Sequence, residues 1–558
     1  MNKPVKYLLV LCLLSAQYVP AQDISQMVTQ KPVRLSGGID LRGIFYKANG
    51  IDPRRKPFSW IASGNVNIAL YGFDIPLNFT ISEQDRSFSQ PFNQFGLSPR
   101  YKWLTLHGGY RNISFSPYTL DGHTMLGGGL ELNPGKFHFG VMYGRLNRAT
   151  TIDTSTGAIQ PFSFSRKGLA MKIGYGDESS FITLSALRAK DDSASVEVDP
   201  LTKQTVTAAA NTVASLAGRV QFFKKLFIEG DGGVSVYTND IGNQQAVPDS
   251  NKWVEKANRI MPINATTEFY LAYRGAIGFM SQVFSLKLEY RYVDPQFRSM
   301  GVYYFNNDQE SITVSPSLNL LKGRLRLNGS IGRQKDNVRS QKEATTTRTI
   351  GMANLGWDIT SRLGIDASFA NYASNSKPTV VLIQNKYLLA QNNNNFSVTP
   401  RYVYTTTRHA HVVLASYNRA MLTDENTDTK AFNAITTDIF FVNYTFSVLA
   451  QGLSLTAGFN QANNKLSVGK FTNTGVNSTI AKAWVKAKLN ASLNGAYTIS
   501  KSDAGKTNIM NLTLNTSYQP GLHHRVSLRY ALLDNKPSFT GQPDFNEHTA
   551  ELGYSFTF

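Results

Sequence analysis

The chain has 558 residues, with 57 Lys and Arg against 38 Asp and Glu, a formal charge of +19 and a single cysteine. Only 17 % of residues are charged and 11 % are aromatic, a balance rare in helical proteins, and one cysteine excludes a disulfide framework. After the first twenty or so residues no apolar run approaches the ~18 a membrane helix needs, so a helical membrane bundle is excluded too.

Residues 1–21 read as a secretory signal. Lys3 and Lys6 precede the short apolar stretch Tyr7–Ala16, and Val19-Pro20-Ala21 supplies small residues before a break. Cys12 lies inside this segment, so the mature chain from Gln22 is expected to carry no cysteine and, without the two lysines, a charge of +17. Residues 22–32 are expected to form a short periplasmic lead-in. Residues 33–558 show no linker, charge block or shift in composition and are expected to form one unit.

That unit alternates with a period of two. Leu35, Ile39, Leu41 and Phe45 oppose Ser36, Asp40 and Arg42, and Trp60, Ala62, Val66 and Ile68 oppose Ser63, Asn65 and Asn67. Further on, Ile228 and Val234 oppose Glu229, Asp231 and Ser235, while Leu286, Leu288 and Tyr290 oppose Lys287, Glu289 and Arg291. The pattern returns in Leu489–Ile499 and in Met510–Tyr518. Successive strand side chains point to opposite faces, so each segment has one apolar and one polar face. These segments run to about 10–13 residues, the length of a tilted membrane strand rather than of a soluble one at ~5–6. Short connections, such as Asn133-Pro134-Gly135-Lys136 (read as a type II turn), alternate with long ones, such as Asn147–Phe164, Asp191–Ala210 and Asn239–Thr266. Short periplasmic turns opposite long outer loops, with aromatic residues near segment ends, mark a membrane barrel. The expected fold is therefore all-β: a transmembrane antiparallel β-barrel of about 26 strands (24 as the fallback) with no separate plug domain. The count requires a strand between Tyr101 and His123, and Asn112–Ser116 is the candidate. A barrel this wide needs obstruction, and Asn239–Thr266, with Trp253, Val254, Ile260 and Met261, is expected either to fold inward, with Asp191–Ala210 as its companion, or equally to cover the outer rim or contact a partner.

The last strand, Glu547–Phe558, sets Ala550, Leu552, Tyr554, Phe556 and Phe558 on one face and ends on an aromatic residue. This resembles the C-terminal signature of Gram-negative outer-membrane β-barrels. The resemblance implies an outer-membrane location, crossed by many strands, and implies that the barrel-assembly machinery reads Tyr554, Phe556 and Phe558. Ser98–Trp103, Asn133–Arg145 and Asp294–Asn307 are similar to uncharacterised barrels of Bacteroidota, a likeness that brings no function with it.

No catalytic, cofactor or metal site is expected. His409 and His411 share a strand face but lack a third ligand, and His523-His524 lies in a turn with neighbouring side chains diverging. His107, His123 and His138 each stand alone, without a positioned Ser or carboxylate. His548 has Asp544 and Glu547 nearby in sequence only, and Asp424, Glu425 and Asp428 lack a calcium-loop pattern. Asp40, Arg42, Glu229, Asp231, Lys287, Glu289, Arg291 and Arg326 are the expected lumen lining. The positive balance points away from nucleic acid, given the secretory signal, and towards anionic solutes in the lumen or lipopolysaccharide phosphates at Arg54, Arg55, Lys56, Arg339 and Lys342. The leading expectation is a porin-like or substrate-selective channel for polar solutes, in contact with outer-membrane lipid. The alternative is an accessory barrel of a secretion, export or assembly complex whose lumen another protein seals. A hydrolase ranks third, for want of a visible constellation.

Overall fold

The computed structural model describes residues 33–70, 73–82, 96–150, 163–196, 207–245, 261–378, 390–426, 428–467, 469–484, 488–539 and 541–558. The expected signal and lead-in, residues 1–32, fall outside that set.

Among the described residues the chain forms 27 strands. The first eight are β1 Val33–Asn49, β2 Phe58–Leu70, β3 Phe73–Ser82, β4 Gly96–Leu97, β5 Arg100–Tyr101, β6 Leu104–Asn112, β7 Thr124–Leu132 and β8 Phe137–Asn147. Next come β9 Ser165–Gly176, β10 Phe181–Asp192, β11 Ala210–Phe222, β12 Leu226–Thr238, β13 Thr267–Met280, β14 Phe284–Val293, β15 Gln309–Leu320, β16 Leu325–Lys335 and β17 Ala344–Asp358. The series ends with β18 Leu363–Pro378, β19 Ala390–Thr405, β20 His409–Asp424, β21 Ile435–Val448, β22 Leu453–Leu466, β23 Gly469–Trp484, β24 Leu489–Ser502, β25 Gly505–Tyr518, β26 His524–Pro537 and β27 Phe545–Thr557.

Every ladder is antiparallel and nearly all join chain neighbours, as in β9 with β10 from Phe181↔Gly176 to Asp192↔Ser165. The first and last strands also pair, from Gly38↔Thr557 to Asn49↔Asn546. The backbone N–H of Gly37 donates to the Phe558 carbonyl, and that of Phe558 to the Gly37 carbonyl. The sheet is sparse between β3 and β6, where Asp74↔Arg100 links β3 to β5. Both β4 and β5 pair with β6, so they are one strand interrupted at Ser98-Pro99, and the up-and-down count becomes the expected 26.

Parity separates two faces. On β9, Leu169, Met171, Ile173 and Tyr175 are exposed while Ala170 is fully buried, and on β10 Ile182 and Leu184 are exposed while Leu187 and Ala189 are buried. Exposed apolar side chains on one face of a sheet suit contact with hydrocarbon, since water would leave them unfavourably solvated. The opposite, inner face carries the buried cluster, in which Ile113, Phe115, Tyr118, Leu120, Phe297 and Met300 pack on Met142, Leu187, Val213 and Val293.

The chain departs from the expected pattern at two places. The turn expected over Asn133–Lys136 closes one residue later: Phe137 N–H donates to the Pro134 carbonyl, and Gly135 takes φ +62°, a conformation costly for a residue with a Cβ. The strand expected at Asn112–Ser116 is absent. The ladder of β6 stops at Asn112, and the chain then turns onto the inner wall.

Candidate functional site

Two connections at the long-loop end, residues 113–123 and 294–308, line the inner wall. In the first, Pro117 has no N–H to give a ladder, and the backbone closes on itself: Phe115 N–H donates to the Leu120 carbonyl and Thr119 N–H to that of Ser116. Its side chains reach the wall. Ser215 Oγ donates to Ser116 Oγ at 2.8 Å, and Tyr118 Oη donates to Asp231 Oδ2 at 2.6 Å. Gly233 makes room, because a Cβ there would lie 2.7 Å from Tyr118 Cβ. In the second, Met300 N–H donates to Asn211 Oδ1 at 2.9 Å and Ser235 Oγ donates to the Arg298 carbonyl at 2.7 Å. Ser299 Oγ donates to the Thr119 carbonyl at 2.9 Å and so joins the segments. Between them Tyr118, Phe297 and Phe305 pack edge-on and tilted, with centroids 4.6–6.0 Å apart. Asp294 anchors the base: it accepts from Leu271 N–H and from Arg339 Nε and Nη2 at 2.9 and 2.6 Å.

Beneath Tyr118 runs an ion chain. Arg219 meets Glu229 at 3.5 Å, Lys287 bridges Glu229 and Glu289 at 3.0 and 2.8 Å, and Arg274 spans Glu289 at 3.6 Å and Asp231 at 2.5 Å. Four of the sequence-named residues, Glu229, Asp231, Lys287 and Glu289, are thus brought together as a paired network that holds Tyr118. Arg291 alternates in phase with Lys287 and Glu289 on β14. Arg326 sits apart, 3.5 Å from Asp358, and Asp358 also pairs with Arg401. Asp40 accepts from Ser555. Arg42 lies in a cavity of about 610 Å³ on the far wall with Ser492, Asn515, Arg529 and Glu551.

The two segments make their contacts on the β7–β14 side. From β18 to β27 the inner face is rich in hydroxyl and amide side chains, interspersed with apolar ones such as Phe441 opposite Ser416, and several pair between adjacent strands: Ser368 with Ser397 at 2.6 Å, Thr399 with Ser416 at 2.9 Å, Thr445 with Thr456 at 2.9 Å and Thr479 to Asn494 at 2.8 Å. Such a surface can solvate a passing polar solute by exchanging hydrogen bonds.

The expectation that His107 stands alone is wrong. Ser98 Oγ lies 2.7 Å from His107 Nδ1, and His107 Nε2 lies 3.1 Å from Glu131 Oε1. An imidazole that accepts from Ser98 and donates to Glu131 satisfies both contacts. Lys172 completes the group, 3.6 Å from Glu131 and 5.2 Å from the Phe115 ring centroid. Nucleophile, base and orienter are in series, yet Ser98 is 8 % exposed and the His107 side chain 6 %, so nothing brings an acyl carbon to Oγ in this arrangement. The network ties the interrupted strand to β6 and β7. Sequence spacings of 9 and 24 residues gave no signal for it; only the register does.

The remaining candidates do not assemble. His409 stacks on Phe446 with a centroid separation of 5.5 Å, and His411 lies 2.9 Å from Tyr444 Oη, both on the outward face near a turn. His523 meets the Thr557 carbonyl, His524 the Tyr554 hydroxyl and His138 Asn133, while His123 stacks on Tyr303 at 3.9 Å. Glu547 accepts from Tyr46 and Arg54, whereas His548, on the opposite face, meets Tyr530. Asp424 accepts from Thr429 and Asn433 and so steadies a single helical turn, Lys430–Asn433. Of the loop expected to fold inward, Met261 and Ile263 are buried, while Trp253, Val254 and Ile260 lie outside the described residues.

No protein-family model and no curated protein matches the chain. Among solved structures it is similar to the FrpB iron transporter (F5-1 variant) from Neisseria meningitidis, at 10 % identity and a TM-score of 0.40, covering 96 % of this chain and 84 % of that one. It is similar to the P pilus usher PapC translocation pore at 10 % identity and 0.39, covering 94 % and 100 %. The OccAB4 protein of Acinetobacter baumannii is 12 % identical at 0.29, covering 70 % and 98 %. These similarities are too low to carry any property of those proteins over to this chain.

Proposed function

We propose that the chain is an outer-membrane β-barrel that forms a channel for polar solutes, narrowed on one side by its own segments 113–123 and 294–308. The carrying observation is the asymmetry of the inner face: the β7–β14 side is covered by a packed apolar cluster, while the β18–β27 side, outside that cluster, carries many hydroxyl and amide groups. The outward apolar face supports membrane insertion, and the secretory signal read from residues 1–21 supports the outer membrane. Most inner-wall cations are matched to carboxylates, as in the Glu229–Lys287–Glu289–Arg274–Asp231 chain, so the reading is passage of uncharged or zwitterionic polar solutes rather than strong anion selection. Liposome swelling tests it. Vesicles holding the purified protein should admit small neutral sugars at rates that fall with sugar size. Folded, inserted protein that admits none would overturn the channel reading in favour of an accessory barrel sealed in its resting state.

A further inference from the structure

The cations that sequence alone suggested for lipopolysaccharide are largely engaged elsewhere. Arg54 meets Glu547 at 3.4 Å, Arg339 meets Asp294 at 2.6 Å, and Lys342 pairs with Asp308. A different group has no ionic or hydrogen-bonding partner among the described residues: Arg145, Lys167, Arg188 and Lys190.

The ladders place these four together. Arg145 on β8 stands directly across from Lys167 on β9, and Lys167 directly across from Lys190 on β10. Arg188 is opposite Leu169, one outward step below Lys190. Three cations thus sit in one row over adjacent strands, within about 10 Å at the ~4.8 Å spacing of a sheet. Like charges directly opposite on neighbouring strands destabilise the pairing, and here the repulsion is not offset by any carboxylate in the row. Asp192, one outward step above Lys190, has its Oδ1 turned to the Ala194 N–H at 3.2 Å.

Their face and height identify what neutralises them. By strand parity they point outward with Tyr143, Leu169, Met171, Ile182 and Leu184, all exposed apolar side chains. Lys167, Arg188 and Lys190 are themselves exposed. From Lys167 down β9 to Tyr175 the strand covers roughly 27 Å at ~3.4 Å per residue, or about 19 Å of membrane thickness at a ~45° tilt. The row therefore crowns the apolar band at the long-loop end, where acyl chains stop and headgroups begin. Phosphate oxygens accept charge-assisted hydrogen bonds from Lys and Arg, and acyl chains beneath them would lie on Leu169, Met171 and Leu184.

We propose that Arg145, Lys167, Arg188 and Lys190 form a binding site on the outer wall for the phosphate-bearing headgroup of an outer-leaflet lipid. This rests on the outer-membrane reading above, which insertion into vesicles tests separately. Full-length protein purified in detergent is incubated with diphosphorylated lipid A, with its dephosphorylated form or with inorganic phosphate, and bound species are counted by native mass spectrometry. Wild-type protein should retain diphosphorylated lipid A, and Lys167→Gln/Lys190→Gln should retain it on the order of tenfold or more weakly, from the loss of two surface cations. Lys482→Gln, outward-facing at the other end beside Trp484, should match wild type. Heat-modifiable migration confirms folding, and Arg188→Gln alone, with a smaller loss, serves if the double variant does not fold. Equal retention by folded wild-type and variant proteins, equal retention of the dephosphorylated lipid, or retention of inorganic phosphate alone would each overturn the proposal. Failure to enter vesicles would instead overturn the membrane reading.

Discussion

Replacing Phe297 by Ala should undock the inward segments without opening the barrel. Phe297 is fully buried, packed 4.6 Å from the Phe305 centroid and edge-on to Tyr118 at 6.0 Å. Truncating a buried Phe to Ala typically costs about 3–5 kcal/mol, which would raise the undocked population by roughly two to three and a half orders of magnitude. Phe297 makes no ladder pair, so strand pairing should persist and gel migration of unheated protein should be unchanged. Trypsin reads the undocking, because Arg298 follows Phe297 and is held by its guanidinium over the Tyr237 ring at 4.2 Å and by its carbonyl on Ser235. Where opening and reclosing are fast, cleavage tracks the open population, so the rate of cutting after Arg298 should rise at least a hundredfold in this regime. An unchanged rate in a folded variant, or loss of the barrel in the same step, would refute the view that the segments are a separately packed lining.

Leu512→Arg should reduce the yield of membrane-inserted barrel far more than Asn511→Arg, since Arg on the lipid face near the midplane costs about 2–4 kcal/mol and a lumen Arg is tolerated; equal yields measured by heat-modifiable migration would refute the face assignment. Deleting Phe558 removes both backbone hydrogen bonds to Gly37 and the ring 5.5 Å from Phe556, so less protein should reach the protease-resistant form, and normal abundance would count against a role in assembly. Asp308, on the 294–308 connection, would be pushed up by burial, but Lys342 and the N–H groups of Val338 and Asn337 outweigh that and lower its pKa. Its stabilising contribution is therefore full above the unfolded value of about 3.9 and fades as pH falls through the folded one. Exchange protection of the Val338 amide, corrected for intrinsic rates, should hold between pH 5 and 7, fall below about pH 3.9 and show no such step in Asp308→Asn.

The architecture was legible because alternation is a local signal. Leu286, Leu288 and Tyr290 against Lys287, Glu289 and Arg291 announce a two-faced strand whatever lies beside it, and the outward exposure of the first set follows. The inward segment was misread for the same reason. Ile113-Ser114-Phe115-Ser116 alternates like a strand, and only Pro117, with the local closure of Phe115 on Leu120, diverts it onto the wall. The Ser98–His107–Glu131 series was invisible because its members are brought into line by the register of three ladders, β4 with β6, β5 with β6 and β6 with β7. The four outward cations were equally hidden: Arg145, Lys167 and Lys190 become neighbours only once β8, β9 and β10 are aligned.

A water-filled path along the uncovered wall is the centre of the account, and the scarcity of thiols makes it directly measurable. The single cysteine is Cys12, within the expected signal, so a cysteine introduced further on is the only reactive thiol in the mature chain. Ser492 lines the inner cavity, and its neighbour Leu493 is an exposed outward residue. In single-channel recordings from planar bilayers, Ser492→Cys should lose conductance in a discrete step when a charged methanethiosulfonate reagent is added, while Leu493→Cys should conduct unchanged. Block at Leu493→Cys with none at Ser492→Cys, or conduction that neither site affects, would contradict the channel proposed here.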